Sequence, residues 1–293
     1  MSLTTIPGYK LLRFLGGGSL FEVWEARPVD DIIPVAIKFI RPEAVESPSA
    51  LTLLKREARA GTVVRHPRLA RVLKSNFAAA PHFVVSELIP GLSLKDRLQR
   101  SGKLGVGFAV WAVRQAAEGL AAIHKAGLIH ADIKPDNLRL TGEGELKLVD
   151  FAFTHRRGEN RKINGSRFVL GTANYAAPEL CRFPVTEGPA ADIFSLGTVL
   201  FECLTGRLPY RTATAAEALR LRRSVAPADL ADERVECPDR VAKVVRWMLQ
   251  RDPRDRPTAK RLVRELVRIE VELMRGRRVY SARSASGISQ RQS

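Results

Sequence analysis

The chain has 293 residues, of which 45% are hydrophobic and 27% are charged, a balance typical of a folded globular protein rather than a disordered one. No stretch approaches the roughly 18 apolar residues of a membrane span, and the first ten residues lack the pattern of a signal peptide. The three cysteines are far apart, which disfavours a disulfide framework or a zinc site, so we expect a reducing, cytoplasmic environment.

The formal net charge of +17 is the unusual bulk property. Such an excess favours polyanionic partners, such as nucleic acid, acidic proteins or anionic lipid, although a merely solvated basic surface explains it more simply. Aromatic residues make up only 6% and do not alternate with basic ones. Nucleic-acid binding is therefore expected only as a weak, non-specific accessory property.

The first half of the chain reads as strands around one helix. Strands are predicted at residues 9–15, 21–27, 34–40, 71–77 and 82–88, from short alternating or β-branched runs between turn residues. Residues 51–64 have helical spacing, with an apolar face formed by Leu51, Leu54, Ala58 and Val63 and a basic face formed by Lys55, Arg56 and Arg59. Pro90 and Gly91 then break the chain, and we place a lobe boundary there.

The second half reads as mainly helical. Helices are predicted at residues 108–126, 193–205, 241–249 and 259–274. A basic polar loop is predicted at residues 154–168. The end of the chain, residues 274–293, is rich in arginine and serine and has little to bury, so we predict a disordered basic tail there.

A glycine cluster, Gly16-Gly17-Gly18, lies between the first two predicted strands. Backbone amides there can approach a phosphate with no side chain in the way, although a tight hairpin turn explains the cluster about as well. Lys38 follows in an apolar strand, where a lysine is costly unless its ammonium meets an anion or reaches solvent at a sheet edge. Glu57, on the predicted helix, is an acid that could hold it.

The strongest pattern is His-Ala-Asp-Ile-Lys-Pro-Asp-Asn, residues 130–137, between apolar flanks. Asp150 follows at the end of an apolar segment. The oxygens of Asn137 and Asp150 are ligands that suit Mg²⁺ bridging phosphates. Asp132 could then accept a proton from an attacking hydroxyl, with Lys134 balancing charge on a moving phosphoryl group.

In these motifs the chain resembles the eukaryotic-type (Hanks-type) serine/threonine protein kinases, in a bacterial-like form, over roughly residues 9–273. The resemblance implies an α+β, bilobal protein kinase fold. It implies a small ATP-binding lobe of antiparallel sheet with one helix (1–89), a larger, mainly helical catalytic and substrate lobe (90–273), and the basic tail (274–293). The implied reaction transfers the γ-phosphoryl group of MgATP to protein Ser or Thr hydroxyls.

The resemblance also assigns roles to residues of this chain. Asp132 and Lys134 are the implied catalytic residues, and Lys134 favours Ser or Thr over Tyr as acceptor. Asn137 and Asp150 are the implied metal ligands, with ATP and Mg²⁺ or Mn²⁺ as cofactors. The residues expected to contact ATP are Leu15, Gly16, Gly17, Gly18, Val23, Ala36, Lys38, Glu57, Glu87 and Ile89.

Further landmarks of the family follow in order. The segment from Glu87 to Ile89 matches the hinge that meets adenine, behind a small gatekeeper, Ser86. Asp192 resembles the buried aspartate that braces the catalytic loop. Arg256 resembles the arginine that pairs with the glutamate of Ala177-Pro178-Glu179.

Three positions depart from the family pattern. Phe21 replaces the third glycine of the loop, and Ala152 replaces the glycine after Asp150-Phe151. Ala131 replaces an arginine that normally pairs with a phosphate on the activation segment, which argues against simple activation by such a phosphate. Among the hydroxyls of that segment, Thr154, Ser166 and Thr172, we expect Thr172 to bond Asp132. Ser166 is the better modification candidate, and Ser166→Ala is expected to change activity little.

These departures keep an alternative open, namely a catalytically weak or inactive pseudokinase that acts as a nucleotide-binding scaffold. A small-molecule phosphotransferase of related fold is disfavoured, because the segment that ends at Ala177-Pro178-Glu179 builds a platform for peptides. The expected partners are protein substrates, for which acidic sequences are one explanation of the charge. The tail is expected to bind polyanions weakly and without specificity.

Overall fold

The computed structural model describes residues 5–162, 173–182, 185–210, 214–233 and 235–288. Its first part is a five-stranded antiparallel sheet with the strand order β1-β2-β3-β5-β4. The strands are β1 (Tyr9–Gly17), β2 (Phe21–Pro28), β3 (Val35–Ile40), β4 (Val72–Asn76) and β5 (Phe83–Glu87). All five strands predicted from the sequence are present, so the prediction of a small antiparallel sheet is confirmed.

One helix, α1 (Pro48–Val63), packs against this sheet. Leu54 and Ala50 on α1 form a small core with Ile40 and Val84 of the sheet, because the apolar positions of the helix recur at helical spacing. A second small core, around Ile37, fills the opposite side of the sheet. The central strands β3 and β5 are therefore mostly buried, whereas β1, β2 and β4 are largely half-buried or exposed.

The predicted exposure of the side chains of α1 is wrong at two positions. Arg56, assigned to the basic outer face, is only 6% exposed, whereas Val63, assigned to the apolar face, is 52% exposed. Arg56 is buried because its guanidinium donates to the side-chain oxygen of Asn160 at 2.7 Å, a residue 104 positions further along the chain. Helical periodicity within α1 contains no information about that partner.

The described residues of the second part of the chain form six α-helices. They are α2 (Leu94–Ser101), α3 (Val106–Lys125), α4 (Pro189–Thr205), α5 (Ala215–Ser224), α6 (Asp239–Met248) and α7 (Ala259–Ile288). α3 and α4 form the centre of the main hydrophobic core, with α7 packed on α3 and α6 packed on α4. α4 is buried along nearly its whole length, since its side chains are apolar on almost every face.

Two of these helices, α2 and α5, were not predicted from the sequence. α2 begins with a capping box, in which Ser93 accepts from the amide of Asp96 and the Asp96 carboxylate accepts from the amide of Ser93. α5 begins at Thr214, whose hydroxyl accepts from the amide of Glu217. Both caps are visible as sequence patterns, and each could have revealed its helix.

Four short strands frame the polar loops of the second part. β6 (Leu128–Ile129) pairs with β9 (His155–Arg156), and β7 (Leu138–Leu140) pairs with β8 (Leu146–Leu148). Residues 130–137 therefore form a loop between β6 and β7, and Asp150 follows β8. Because these strand pairs sit on the main core, they hold the polar loops at the face of the second part that meets the sheet.

A rear seam joins the two parts, formed by the chain between α1 and β4 and by β8. The amide of Ala70 donates to the carbonyl of Leu148 at 2.9 Å, and the amide of Leu148 donates to the carbonyl of Arg68 at 2.8 Å. Leu69 and Ala70 belong to the main hydrophobic core, together with Ile89 at the other connection. Leu69, Ala70 and Ile89 thus join the core of the helical part, while the sheet keeps its own two small cores, and the predicted boundary between residues 89 and 90 stays a prediction.

The last helix, α7, continues through Ile288, into the segment that the sequence analysis assigned to a disordered tail. Arginine and alanine have favourable helix propensities, and each residue added to an existing helix gains a hydrogen bond without a new nucleation cost. The backbone from Met274 to Ile288 is therefore helical instead of irregular. Within the ranges given above, no helix combines the length and apolar character needed to cross a bilayer.

Candidate active site

A cleft of about 640 Å³ lies between the sheet and the helical part, a volume suited to a small-molecule ligand. Every residue that the sequence analysis assigned to nucleotide binding, metal binding or catalysis lines this cleft. The side chains Lys38, Asp132, Asn137 and Asp150, which come from three separate segments, are thus brought to one site. Their convergence is a property of the fold that the sequence alone could not establish.

The turn between β1 and β2 forms one edge of the cleft. A Cβ on Gly17 would lie 2.6 Å from the carbonyl oxygen of Phe21, so the turn itself requires glycine there. Gly16 has a φ of 154°, which side chains disfavour. Gly18 has neither restriction, since a Cβ there would meet nothing within 4 Å among the described residues. The glycine at position 18 is not needed for the hairpin, and it leaves room for a ligand.

Lys38 lies at the inner end of the cleft between two carboxylates. Its Nζ is 2.8 Å from Oε2 of Glu57 and donates to Oδ1 of Asp150 at 2.6 Å. Burial by itself would lower the pKa of the Lys38 ammonium, but the charges of Asp150 and Glu57 raise it above its usual range. Burial opposes ionisation of Asp150 as well, yet the Lys38 ammonium holds the pKa of that carboxyl below its usual value. The lysine is therefore a permanent, buried cation.

Phe21, which replaces the third glycine of the loop, packs inside the cleft. Its ring centroid lies 5.6 Å from Nζ of Lys38, within the range of a cation–π contact. The ring also packs against the small core between α1 and the sheet. The substitution thus adds a wall beside the lysine that a glycine would not supply.

The loop of residues 130–137 places Asp132 between an ammonium donor and an amide donor. Nζ of Lys134 donates to Oδ2 of Asp132 at 2.7 Å, and Nδ2 of Asn137 donates to the same oxygen at 2.9 Å. Nδ2 of Asn137 also donates to the main-chain carbonyl of Asp132 at 2.8 Å. These bonds orient the Asn137 amide with its nitrogen toward Asp132 and its oxygen on the other side. The carboxylate of Asp132 is only 4% exposed, so these donors replace much of its hydration.

Asp192, on α4, holds the beginning of this loop. Its carboxylate accepts from the amides of His130 at 2.9 Å and Ala131 at 2.8 Å, and from Nε2 of His124 at 2.8 Å. Burial would raise the pKa of Asp192, but the bond from His124 and the other contacts hold it below the usual value. The predicted brace is present, and it fixes a loop in which Ala131 has a φ of 65°.

Ala152 does not adopt the backbone conformation for which the family uses glycine. The left-handed φ in this segment falls on Asp150, at 64°, instead. The amide of Ala152 donates to Oδ1 of Asp150 at 3.2 Å, which supports that conformation. The ring of Phe151 contacts the buried imidazole of His130 with 5.7 Å between centroids. The alanine is therefore accommodated without backbone strain of its own.

The predicted hinge forms the far wall of the cleft. The amide of Glu87 donates to the carbonyl of Arg71 at 2.8 Å, and its carboxylate binds Nζ of Lys147 at 2.5 Å. The carbonyl of Ile89 accepts from Nε of Arg139 at 3.3 Å. Ser86 also lines the cleft, so its small side chain leaves space at this wall.

The end of the activation segment is anchored by a buried ion pair. Arg256 donates from Nη1 and Nη2 to the two carboxylate oxygens of Glu179 at 2.6 and 2.7 Å, and its side chain is fully buried. Thr154 is buried, whereas the hydroxyls predicted at Ser166 and Thr172 lie outside the described residues. The predicted pairing of Arg256 with Glu179 is present.

Sequence reasoning missed one set of contacts near the cleft. Arg56 and Arg59 on α1 bind Asn160 and Glu159, which follow Asp150 by about ten residues. The partners are 100 or more residues apart in the chain. No local pattern links them, and only the fold shows that they meet.

The donor set of the cleft fits a magnesium ion that arrives with a nucleotide. The described part of the chain has no group of three or more His, Cys, Asp or Glu residues able to hold a metal by protein ligands alone. Mg²⁺ is commonly bound by one or two carboxylates together with substrate phosphates and water. Asn137 and Asp150 supply an amide oxygen and a carboxylate at the same cleft, which is the contribution expected of the protein.

Comparison with known families agrees with this geometry, since the family model for the protein kinase domain matches residues 9–267. The chain belongs to the protein kinase family. The resemblance inferred from the motifs and the predicted α+β, bilobal kinase fold are both confirmed. Lys38 and Glu57, which the motifs match to the lysine and glutamate pair of this family, lie 2.8 Å apart.

Several bacterial serine/threonine protein kinases are similar to this kinase chain. The chain is 36% identical over 210 residues to "Serine/threonine-protein kinases drp72" of Corynebacterium efficiens, covering 70% of this chain and 40% of that protein. It is 32% identical over 214 residues to PknA of Mycobacterium tuberculosis, covering 70% and 49%. It is 30% identical over 207 residues to PknB of Mycolicibacterium smegmatis, covering 69% and 33%. The alignments span less than half the length of these relatives.

Proposed function

We propose that this chain is an ATP-dependent serine/threonine protein kinase that uses Mg²⁺ or Mn²⁺. The observation that carries the proposal is the convergence of Lys38, Asp132, Asn137 and Asp150 on one cleft. The similar bacterial proteins are named serine/threonine-protein kinases, which supports the same reaction. The alternative of an inactive scaffold finds no support among the described residues, since none of these four groups is missing or displaced from the cleft.

In the proposed reaction, the sheet side of the cleft binds and orients the nucleotide. The hinge from Glu87 to Ile89 faces the base, and the backbone of Gly16 to Gly18 covers the phosphates. The ammonium of Lys38, held by Glu57, places positive charge beside them. Asn137 and Asp150 would hold the metal, which would neutralise charge on the phosphates.

Asp132 is the group that handles the proton of the acceptor hydroxyl. Its carboxylate is buried and held in place by Lys134 and Asn137, so it can orient a Ser or Thr hydroxyl and accept its proton as the phosphoryl group moves. The oxygen–phosphorus bond to ADP breaks while the bond to the substrate oxygen forms. Lys134 is placed to stabilise the charge on the transferred group.

We further infer that acidic protein segments are preferred substrates. The chain carries a formal net charge of +17, and Arg156, Arg157, Arg182 and Arg223 lie in or beside the segment from Asp150 to Glu179. Ser-containing peptides flanked by Asp or Glu should have a higher kcat/KM than peptides flanked by Lys or Arg, and added salt should reduce the difference. Equal kcat/KM values at low salt would contradict this preference.

The kinase proposal is tested by transfer of labelled phosphate from MgATP to a generic protein substrate. Asp132→Asn keeps the size of the side chain but removes the proton acceptor, so the rate should fall by about 10²- to 10⁴-fold. Asp30→Asn, in the exposed turn after β2, is the matched control and should keep the full rate. A thermal shift with MgATP separates nucleotide binding from phosphate transfer, because Asp132→Asn should still bind nucleotide. Unchanged transfer in this variant would refute the assignment of the base.

A further inference from the structure

Four side chains connect α1 to the segment after Asp150, and we call them the clasp: Arg56, Arg59, Glu159 and Asn160. Nη1 and Nη2 of Arg59 donate to the two oxygens of Glu159 at 2.9 and 2.7 Å, a bidentate pairing. Nη1 of Arg56 donates to Oδ1 of Asn160 at 2.7 Å. Bidentate, charge-assisted bonds of this kind are among the strongest polar contacts in proteins.

The clasp is anchored on its far side as well. Nδ2 of Asn160 donates to Oε1 of Glu187 at 2.6 Å, and the amide of Arg156 donates to Oε2 of Glu159 at 3.0 Å. Arg156 lies in β9, which pairs with β6 directly before the catalytic loop. The clasp therefore fastens α1 to the same framework that positions Asp132.

The position of the two arginines determines what the clasp can control. Arg56 and Arg59 are three residues apart, so they lie on neighbouring positions of one helix face. Glu57 projects about 100° away from Arg56 around the helix axis. Fixing both arginines prevents α1 from rotating, and rotation is the motion that would withdraw Glu57 from the ammonium of Lys38, now 2.8 Å away.

The acid in the clasp is ionised without any modification. The hydrogen bonds from Arg59 lower the pKa of Glu159 to about 2, and burial only partly opposes them. A permanent carboxylate thus occupies the place opposite an arginine of α1. The catalytic loop, by contrast, has Ala131 where an arginine would receive an activating phosphate.

We propose that the clasp is a built-in positioning device that keeps Glu57 on Lys38 without phosphorylation of the activation segment. The proposal rests on the kinase function proposed above and adds its mode of regulation. Arg59 and Glu159 are positioning residues, since they act on the nucleotide only through α1 and Lys38. The kinase is accordingly expected to be active as synthesised.

The test compares single charge changes with a charge exchange. Glu159→Arg or Arg59→Glu alone places like charges face to face, and each should lower kcat/KM for ATP by about tenfold, with KM for the peptide unchanged. The double variant restores an opposite-charge pair in reversed orientation and should recover most of the loss. Glu265→Arg is the matched control, because Glu265 pairs with Arg240 at 2.7 Å on α6 and α7, with similar exposure, far from α1.

Two further measurements distinguish a loss of folding, and a need for phosphorylation, from a specific loss of activity. Urea unfolding identifies the fraction of each variant that is folded, so that kcat is expressed per folded molecule. Wild-type protein freed of phosphate by a phosphatase should keep its activity within about twofold. Full activity of the single variants, absence of recovery in the double variant, or loss of activity on phosphatase treatment would each overturn the clasp proposal.

The outcome for the wild type alone decides the proposed function. If the wild type binds MgATP but transfers no phosphate, the kinase proposal fails. The clasp proposal is then tested by the dissociation constant for MgATP. Glu159→Arg should raise this constant, and the double variant should return it to the wild-type value. A constant that is identical in all variants would overturn the clasp in that case too.

Discussion

The carboxylate of Asp192 accepts the amide of Ala131 at 2.8 Å, at a residue whose φ is 65°. A left-handed φ costs an L-residue about 1 to 2 kcal/mol, so the bond offsets strain that the loop would otherwise relieve. The same carboxylate accepts from His130 and His124. One buried acid on α4 therefore holds the backbone directly before the proposed catalytic base.

Asp192→Asn should lower the free energy of unfolding by about 1 to 3 kcal/mol, because an asparagine has one acceptor oxygen for three N–H donors and turns an NH₂ group toward the others. Urea unfolding monitored by tryptophan fluorescence gives the value. Asp232→Asn, at an exposed position, is the control and should leave the midpoint unchanged. Equal midpoints for both variants would contradict the proposed brace.

Arg256→Lys should cost about 2 to 3 kcal/mol of stability, since the ammonium keeps the charge but cannot form both parallel bonds to the buried carboxylate of Glu179. Arg254→Lys, two residues earlier, changes an ion pair whose arginine side chain is 87% exposed. The free energy of unfolding should not change there. Chemical unfolding of the two variants side by side makes the comparison. A loss that is the same at both positions would exclude burial as the reason.

Phe21→Leu should raise KM for ATP by about two- to fivefold. The leucine keeps an apolar side chain in the small core but removes the ring that lies 5.6 Å from Nζ of Lys38, a contact of roughly 0.5 to 1 kcal/mol. Phe21→Tyr, which retains an aromatic face, should behave like the wild type. Steady-state kinetics at varied ATP concentration measure both, and a normal KM for the leucine variant would show that the ring is not used.

Lys38→Met should abolish detectable phosphate transfer, because it leaves the carboxylates of Glu57 and Asp150 in the cleft without their cation. Mapping of phosphorylated sites after incubation with MgATP, with the wild type alongside, is the measurement. Lys74→Met, at an exposed position of β4, is the matched control and should retain all sites. Sites that persist in the Lys38 variant would have to come from another enzyme.

The Arg59–Glu159 pair predicts a specific dependence of stability on pH. The pKa of Glu159 is lowered from 4.5 to about 2, so its contribution is complete above about pH 4.5 and is lost as the pH falls toward 2. The difference in unfolding midpoint between wild type and Glu159→Gln should therefore be constant from pH 8 to 5 and shrink below that. Glu143→Gln, in an exposed turn, provides the baseline. A difference in unfolding midpoint that grows below pH 5 would contradict this prediction.

The sequence predicted the parts of the fold that depend on local patterns. β3 was recognisable as a β-branched run and α3 as a stripe of period 3.6, and both lie within two residues of their predicted bounds. Asp132, Asn137 and Asp150 were recognisable because they lie in polar runs between apolar flanks that match the motifs of the family. Such features are encoded within a few neighbouring residues.

Features that depend on partners distant in the chain could not be predicted. The burial of Arg56 follows from Asn160, and the conformation of Ala131 is supported by Asp192, over separations of 104 and 61 residues. α2 is a different case, since the Ser93-x-x-Asp96 capping box was present in the sequence and went unused. The burial of Arg56 and the conformation of Ala131 depend on the fold, whereas the start of α2 is encoded in its cap alone.

The rear seam between Leu148 and residues 68–70 makes the connection between the two parts tighter at the back of the cleft than at its mouth. Main-chain hydrogen bonds tie the back of the cleft, while the glycine turn at its mouth has no comparable tie to the helical part among the described residues. Fluctuations in the separation of the two parts should accordingly widen the entrance of the cleft and leave its back fixed. Since Leu69, Ala70 and Ile89 pack into the core of the helical part, heating should melt both parts in a single calorimetric endotherm, and a nucleotide bound at the mouth should shift that whole endotherm upward.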